Sequence, residues 1–333
     1  MDTIRINFCG FWSSFQKENN LFYHMLSKHF HVEISDDPDF VICSNRGRPF
    51  EYMKYNCVRL MFMGENLSPD FTVFDYVIGF DKLSFGDRYF RLPFGFYFDD
   101  GIPWIPEKLS PDRAREILEL KSVFCNFIYG HPSAHGIREQ LFRTLETYKP
   151  VVSPGRYMNN TGGKGCGWAE KYEWLRKSKF TIACDSVSYP GFFTEKVIQP
   201  FQQHSVPIYF GNPDICEDIN PAAMLWCRSS DEAEIRRVLE QAEYLDTHDD
   251  AYIEMLTQCP LPAPDFLTKR YAELESFLIN VFSQSPDRAS RRVKDFCANN
   301  HESLLKECMK ENAVDPLLTR ARKAAKALLK NKQ

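Results

Sequence analysis

A glutamate and a lysine stand side by side, Glu195-Lys196, after Gly191-Phe192-Phe193-Thr194 and before the apolar run Val197-Ile198. After a polar break comes Val206-Pro207-Ile208-Tyr209-Phe210-Gly211. The pattern reads as a loop that carries an acid and a base into a helix N-terminus, followed by a short buried strand ending at glycine. A helix start offers free N–H groups and a partial positive charge, so a lysine there makes a seat for a diphosphate without a metal. That chemistry suits a nucleotide sugar. A second candidate lies upstream, where residues 58–63, apolar but for Arg59, read as a strand that Gly64 ends. Glu65 therefore sits just past a strand's carboxyl end, where open α/β sheets place their ligand chemistry. A carboxylate there can take the proton of an attacking hydroxyl within hydrogen-bond reach, or it simply caps the turn. Arg138 falls in the first turn of a helix bearing Ile137, Leu141 and Leu145. A cation is unfavourable in that place unless an anion is near; otherwise it is an exposed helix charge. Asp37-Pro38-Asp39 matches a D-x-D metal pattern, but it precedes an apolar strand instead of closing one, and its proline favours a turn.

Several blocks in order resemble the bacterial α1,3-fucosyltransferases, which transfer L-fucose from GDP-fucose with inversion. T-E-K followed by V-P-I-Y-F-G resembles their donor signature. Met63-Gly64-Glu65-Asn66-Leu67-Ser68-Pro69-Asp70-Phe71, residues 74–81 and Asp87-Arg88-Tyr89-Phe90-Arg91-Leu92-Pro93 resemble their acceptor-side blocks. The likeness runs from Val58 to Leu261. It implies Glu65 as the catalytic base and a donor pocket containing Asn126, Arg138, Phe192, Glu195 and Lys196. Arg138 and Lys196 would neutralise the departing GDP, and Glu195 would bind donor hydroxyls or stabilise charge at the anomeric centre. Relatives commonly carry tyrosine where this chain has Phe192, which leaves only stacking at that position. No cofactor is then required beyond the donor substrate, with manganese or magnesium at most a stimulant. The implied acceptor hydroxyl is O3 of N-acetylglucosamine in an N-acetyllactosamine-like glycan. Two rivals are a GT-B glycosyltransferase for another nucleotide sugar and a non-catalytic glycan or nucleotide binding protein.

Composition agrees with this reading. At 333 residues the length fits about two domains. A net charge of −4 argues against general nucleic-acid affinity. Eleven cysteines scattered singly, with no C-x-x-C pair, favour buried thiols in a reducing compartment. The sequence shows neither a secretion signal nor an apolar run long enough to span a membrane, so a cytoplasmic protein is expected. Residues 317–333 carry basic residues without an acid, and apolar residues at helical spacing. They read as a basic helix for peripheral contact with an anionic membrane, or as a solvated tail.

Short β-branched runs alternate with helical patterns at both ends of residues 4–43 and again from Val123 onward. This alternation predicts mostly parallel sheets. The expected architecture is α/β of the GT-B type, with two Rossmann-like domains facing a cleft. The expected division is 1–110 for acceptor binding, 111–262 for GDP-fucose, and 263–333 for C-terminal helices that cross back toward the first domain. Pro200 inside the predicted helix should kink or shorten it.

Overall fold

The computed structural model describes residues 1–132 and 136–313, the side chains of 311–313 excepted. The segment 317–333, expected to meet a membrane, lies outside the described residues. No helix among those described is long and apolar enough to cross a membrane.

Strands β1 (Thr3–Cys9), β2 (His31–Ile34), β3 (Phe40–Ser44), β4 (Val58–Phe62), β5 (Tyr76–Gly79) and β6 (Tyr89–Arg91) form one sheet in the order β2-β1-β3-β4-β5-β6. Every pairing is parallel. Between β1 and β2 lies α1 (Leu21–Ser27), whose first free N–H groups are taken by the Asn20 side chain. The connections from β4 to β5 and from β5 to β6 contain no helix. Parallel strands are buried on both faces, so something else must cover this part of the sheet.

The second sheet has the order β11-β10-β9-β7-β8, again all parallel. Its elements run α2 (Pro111–Glu119), β7 (Val123–Asn126), α3 (Ile137–Glu146), β8 (Val151–Val152), α4 (Trp168–Lys177), β9 (Ser178–Cys184), α5 (Glu195–Gln202), β10 (Val206–Phe210) and β11 (Leu225–Trp226). Helices α6 (Glu232–Thr247) and α7 (Asp249–Thr257) complete its core, which takes Ile235, Val238, Tyr252 and Ile253.

The cover for the first sheet comes from the C-terminus. Helix α8 (Phe266–Phe282) buries Leu267, Tyr271, Leu274, Leu278, Val281 and Phe282 against Ile4, Ile6, Leu60, Tyr76 and Ile78. Six such side chains contribute on the order of 10 kcal/mol of gross burial, before conformational entropy is counted. After the short α9 (Pro286–Ala289), α10 (Phe296–Ala313) brings Leu305 and Met309 to the opposite face, beside Tyr52, Phe74, Met61 and Val77. Helix α5 belongs to both halves. It follows β9 in the second sheet, yet Val197, Ile198 and Phe201 join the core under the first. Pro200 lies inside it, and the helix is eight residues long.

Candidate active site

At the carboxyl ends of β3 and β4, two turns are bonded to one another. Asn45 Oδ1 accepts the N–H of Gly64 at 2.9 Å and that of Glu65 at 3.1 Å. Arg46 Nη1 donates to the Gly64 carbonyl at 3.0 Å and meets Glu65 Oε1 at 3.0 Å. Its guanidinium lies 4.8 Å from the centre of the Phe94 ring. A Cβ on Gly64 would stand 2.6 Å from Arg46 Cδ, so only glycine lets the arginine lie along this turn. The Glu65 side chain stays about half exposed, at 55%.

From Phe94 the structure runs directly to the other half. The next residue, Gly95, donates its N–H to the Phe193 carbonyl at 3.1 Å. Phe193 precedes Thr194, the N-cap of α5, and Glu195 and Lys196 are that helix's first two residues. Thr194 Oγ1 accepts from the Lys196 backbone N–H and from Lys196 Nζ at 3.0 Å, and donates to Asp185 Oδ1 at 2.6 Å. Asp185 follows β9, is fully buried, and also accepts from Tyr209 Oη at 3.1 Å. Burial pushes its carboxyl up, an effect that nearby Lys196 and the hydroxyl of Thr194 only partly offset. Lys196 Nζ stands 4.0 Å from Asp185 Oδ1 and 3.8 Å from Glu195 Oε1.

Burial alone would push the Glu195 carboxyl up as well. Lys196, then Lys171, its own backbone N–H and Arg46 together outweigh that effect and hold it below the usual range. The field of Arg46 therefore reaches Glu195 on the second sheet while its guanidinium holds Glu65 on the first. The Arg46–Glu65 turn, against Phe94, thus adjoins the start of α5, which Gly95 bonds through Phe193.

Three other expected donor residues are placed differently. Arg138, 5% exposed, has its guanidinium 4.2 Å from the Tyr129 ring centre and donates to the Cys184 carbonyl at 3.1 Å and the His131 carbonyl at 3.2 Å. These carbonyls supply the negative partner that a cation in a helix's first turn needs. The residue fixes the end of β9 immediately before Asp185. Asn126 is fully buried within the second sheet, where its Nδ2 donates to Thr181 Oγ1 at 2.9 Å, and Thr181 in turn bonds Ser205. Phe192 corrects the expectation of stacking on the donor. It is 2% exposed and its ring meets that of Phe80 at 5.0 Å, inside the apolar cluster of the first sheet. The cause is local: Gly191 has φ +79° and lies against the Phe80 carbonyl, which turns Phe192 into one core and Phe193 into the other.

The same contact locks the two halves together. Tyr189 Oη donates to Asp81 Oδ1 at 3.2 Å, and Arg91 forms a two-pronged pair with buried Asp218 at 2.8 and 2.6 Å. Lys82 bridges to Asp214 at 2.8 Å and Glu217 at 2.6 Å. Asp39, half of the D-x-D pattern, is paired with Arg5 at 2.8 Å.

Arg46, Asn45 and Asp185 were not singled out by sequence. Asp185 follows directly on the strand run ending at Cys184, and Asn45 and Arg46 come just after the apolar run Phe40–Cys43, but none lies in a recognisable block.

The family model for the N-terminal domain of α-(1,3)-fucosyltransferase FucT matches residues 6–98. An α-(1,3)-fucosyltransferase of Helicobacter pylori is 28% identical over 300 residues, 80% of this chain. The present chain spans 61% of that relative's length. A crystal structure of an α1,3-fucosyltransferase superimposes with a TM-score of 0.67 at 27% identity, covering 83% of this chain and 90% of the other. The chain is similar to α1,3-fucosyltransferases in its N-terminal domain and across most of its fold. Another crystal structure, of an α1,3-fucosyltransferase with GDP-fucose, matches with a TM-score of 0.65 at 25% identity, covering 84% of this chain and 91% of that one. The fold shared with these fucosyltransferases is GT-B, with its two parallel sheets and helices.

Proposed function

We propose that the chain is an inverting α1,3-fucosyltransferase that moves L-fucose from GDP-fucose to O3 of an N-acetylglucosamine in an N-acetyllactosamine-like glycan. The observation that carries this reading is that the Glu65–Arg46 turn, seated on Phe94, is joined to the start of α5 with Glu195 and Lys196 through the Gly95–Phe193 bond. In this reading Glu65 accepts the proton of the acceptor hydroxyl as its oxygen attacks the anomeric carbon. The bond to the GDP oxygen breaks on the opposite face, so the β-linked donor gives an α-linked product. The departing diphosphate gains negative charge, which Lys196 at the start of α5 would offset. Arg138 supports it by fixing the end of β9, and Glu195 takes donor hydroxyls. The chain's own cations carry the neutralisation, and a divalent cation at most stimulates transfer.

The test is product formation from GDP-fucose and N-acetyllactosamine in chelator. Glu65→Gln should lower turnover by about 10²–10⁴-fold, the range for losing a positioned base. It should leave GDP binding intact. Lys196→Ala should lower turnover and weaken GDP together. Tight GDP-fucose binding without product in the natural chain would overturn the acceptor and catalytic half of this reading. Turnover equal to wild type in Glu65→Gln would remove Glu65 as base.

A further inference from the structure

We infer that Arg46 is a positioning residue for Glu65: it anchors one carboxylate oxygen so that the other is presented to the acceptor hydroxyl. This rests on the assignment of Glu65 as the base. Four independent features of the turn after β3 serve that end. Arg46 Nη1 reaches Glu65 Oε1 at 3.0 Å and the carbonyl of the preceding residue, Gly64, at 3.0 Å, so one nitrogen fixes both side chain and backbone. Asn45 holds the same turn from its N–H side, at 2.9 and 3.1 Å. Phe94 supports the guanidinium at 4.8 Å, and Gly64 leaves room for the arginine's stem. No side chain among the described residues bonds Glu65 Oε2, which is therefore the oxygen available to a substrate.

The geometry explains why an exposed carboxylate can serve as a base at all. A glutamate has three rotatable bonds, and a side chain 55% exposed would otherwise spread over several rotamers. Transfer needs the oxygen in line with a hydroxyl held next to the anomeric carbon. A misplacement of about 1 Å in such an arrangement costs roughly 100-fold. A planar guanidinium lying on an aromatic ring supplies direction as well as charge, which an ammonium cannot. Its charged partner is Glu65 from its own half, and its field also reaches Glu195 of the other. Because GDP would be held from the second sheet, the effect of Arg46 belongs on the chemical step and not on donor affinity.

The experiment compares the natural chain with Arg46→Met, Arg46→Lys and Glu65→Gln. It measures kcat and KM for GDP-fucose with N-acetyllactosamine, and the Kd of GDP by calorimetry. Arg46→Met should lower kcat about 10–100-fold. Its KM for GDP-fucose and its GDP Kd should stay within about twofold of wild type. Arg46→Lys, which keeps the charge but not the flat fork, should recover part of the loss. An unchanged kcat in Arg46→Met with activity lost in Glu65→Gln would overturn the positioning role while leaving the base in place. Full activity in Glu65→Gln would remove the base, and this inference with it. GDP binding lost in both Arg46 variants would make Arg46 a general structural residue and overturn the inference too.

Discussion

At the scale of single residues, the site is built from charges compensated in pairs, and its weak point is Asp185. A fully buried carboxylate bonded to two hydroxyls still depends on Lys196 at 4.0 Å for its charge. Removing that cation as Lys196→Met should cost about 1–2 kcal/mol at neutral pH, because it leaves a buried charge without its nearest counter-ion. The loss should depend on pH in a definite direction. The folded-state carboxyl of Asp185 is already raised by burial, and without Lys196 it is raised further. The folded variant then binds a proton that the unfolded chain does not, so its stability falls as pH rises through that raised value. Melting curves at pH 5 and pH 7.5 should show a smaller gap between variant and wild type at the lower pH. A gap that stays constant or widens on acidification would refute the dependence on Lys196.

At the scale of elements, the loop of residues 185–194 does two things that its sequence shows only in part. The T-E-K run and its helix start were legible because capping by Thr194 and the glycine before it leave a pattern. The opposite fates of Phe192 and Phe193 were not, since two adjacent phenylalanines carry no sign of which core each enters. The backbone at Gly191 decides it. Its φ of +79° is disfavoured for residues with a side chain, and a Cβ there would lie 2.5 Å from the Phe80 carbonyl. Gly191→Ala should therefore displace the loop from the first sheet, unseat Phe192, and move the start of α5 with it. The expected result is a stability loss of about 2 kcal/mol or more together with weaker GDP binding. Denaturant titration and calorimetry with GDP report the two effects. Wild-type GDP affinity in Gly191→Ala would mean that the loop's contact with Phe80 does not position Glu195 and Lys196.

At the scale of the whole molecule, the first sheet is covered by helices that the chain makes last. The strand runs of residues 4–63 were readable from their β-branched and apolar composition, whereas β5 and β6 were read as motif blocks and not as strands. Nothing within them shows what covers β4 to β6, because the connections there hold no amphipathic helix. Only the assembled chain answers that, with α8 on one face and α10 on the other. Helix α10 is bound by charge as well as by apolar contact. Arg59, completely buried in β4, donates to Glu302 at 2.9 Å, and Arg292 pairs with buried Asp75 at 3.1 Å. His301 meets Asp70 at 2.8 Å, in the same segment that begins with Glu65. Burial pulls Arg59 down, the charge of Arg292 pulls it further, and Glu302 opposes both. Glu302→Ala should therefore cost about 2–4 kcal/mol, more than an exposed ion pair, because it leaves a buried guanidinium without its carboxylate. The effect should be confined to the first half. GDP affinity well below the melting temperature should match wild type, since the residues proposed to hold the donor stand on the second sheet, while the temperature at which transfer fails should drop. Denaturation and transfer measured on the same preparation distinguish the outcomes. A loss under about 0.5 kcal/mol would place Glu302 among surface pairs of little consequence, and α10 would then be held to the sheet by its apolar contacts alone.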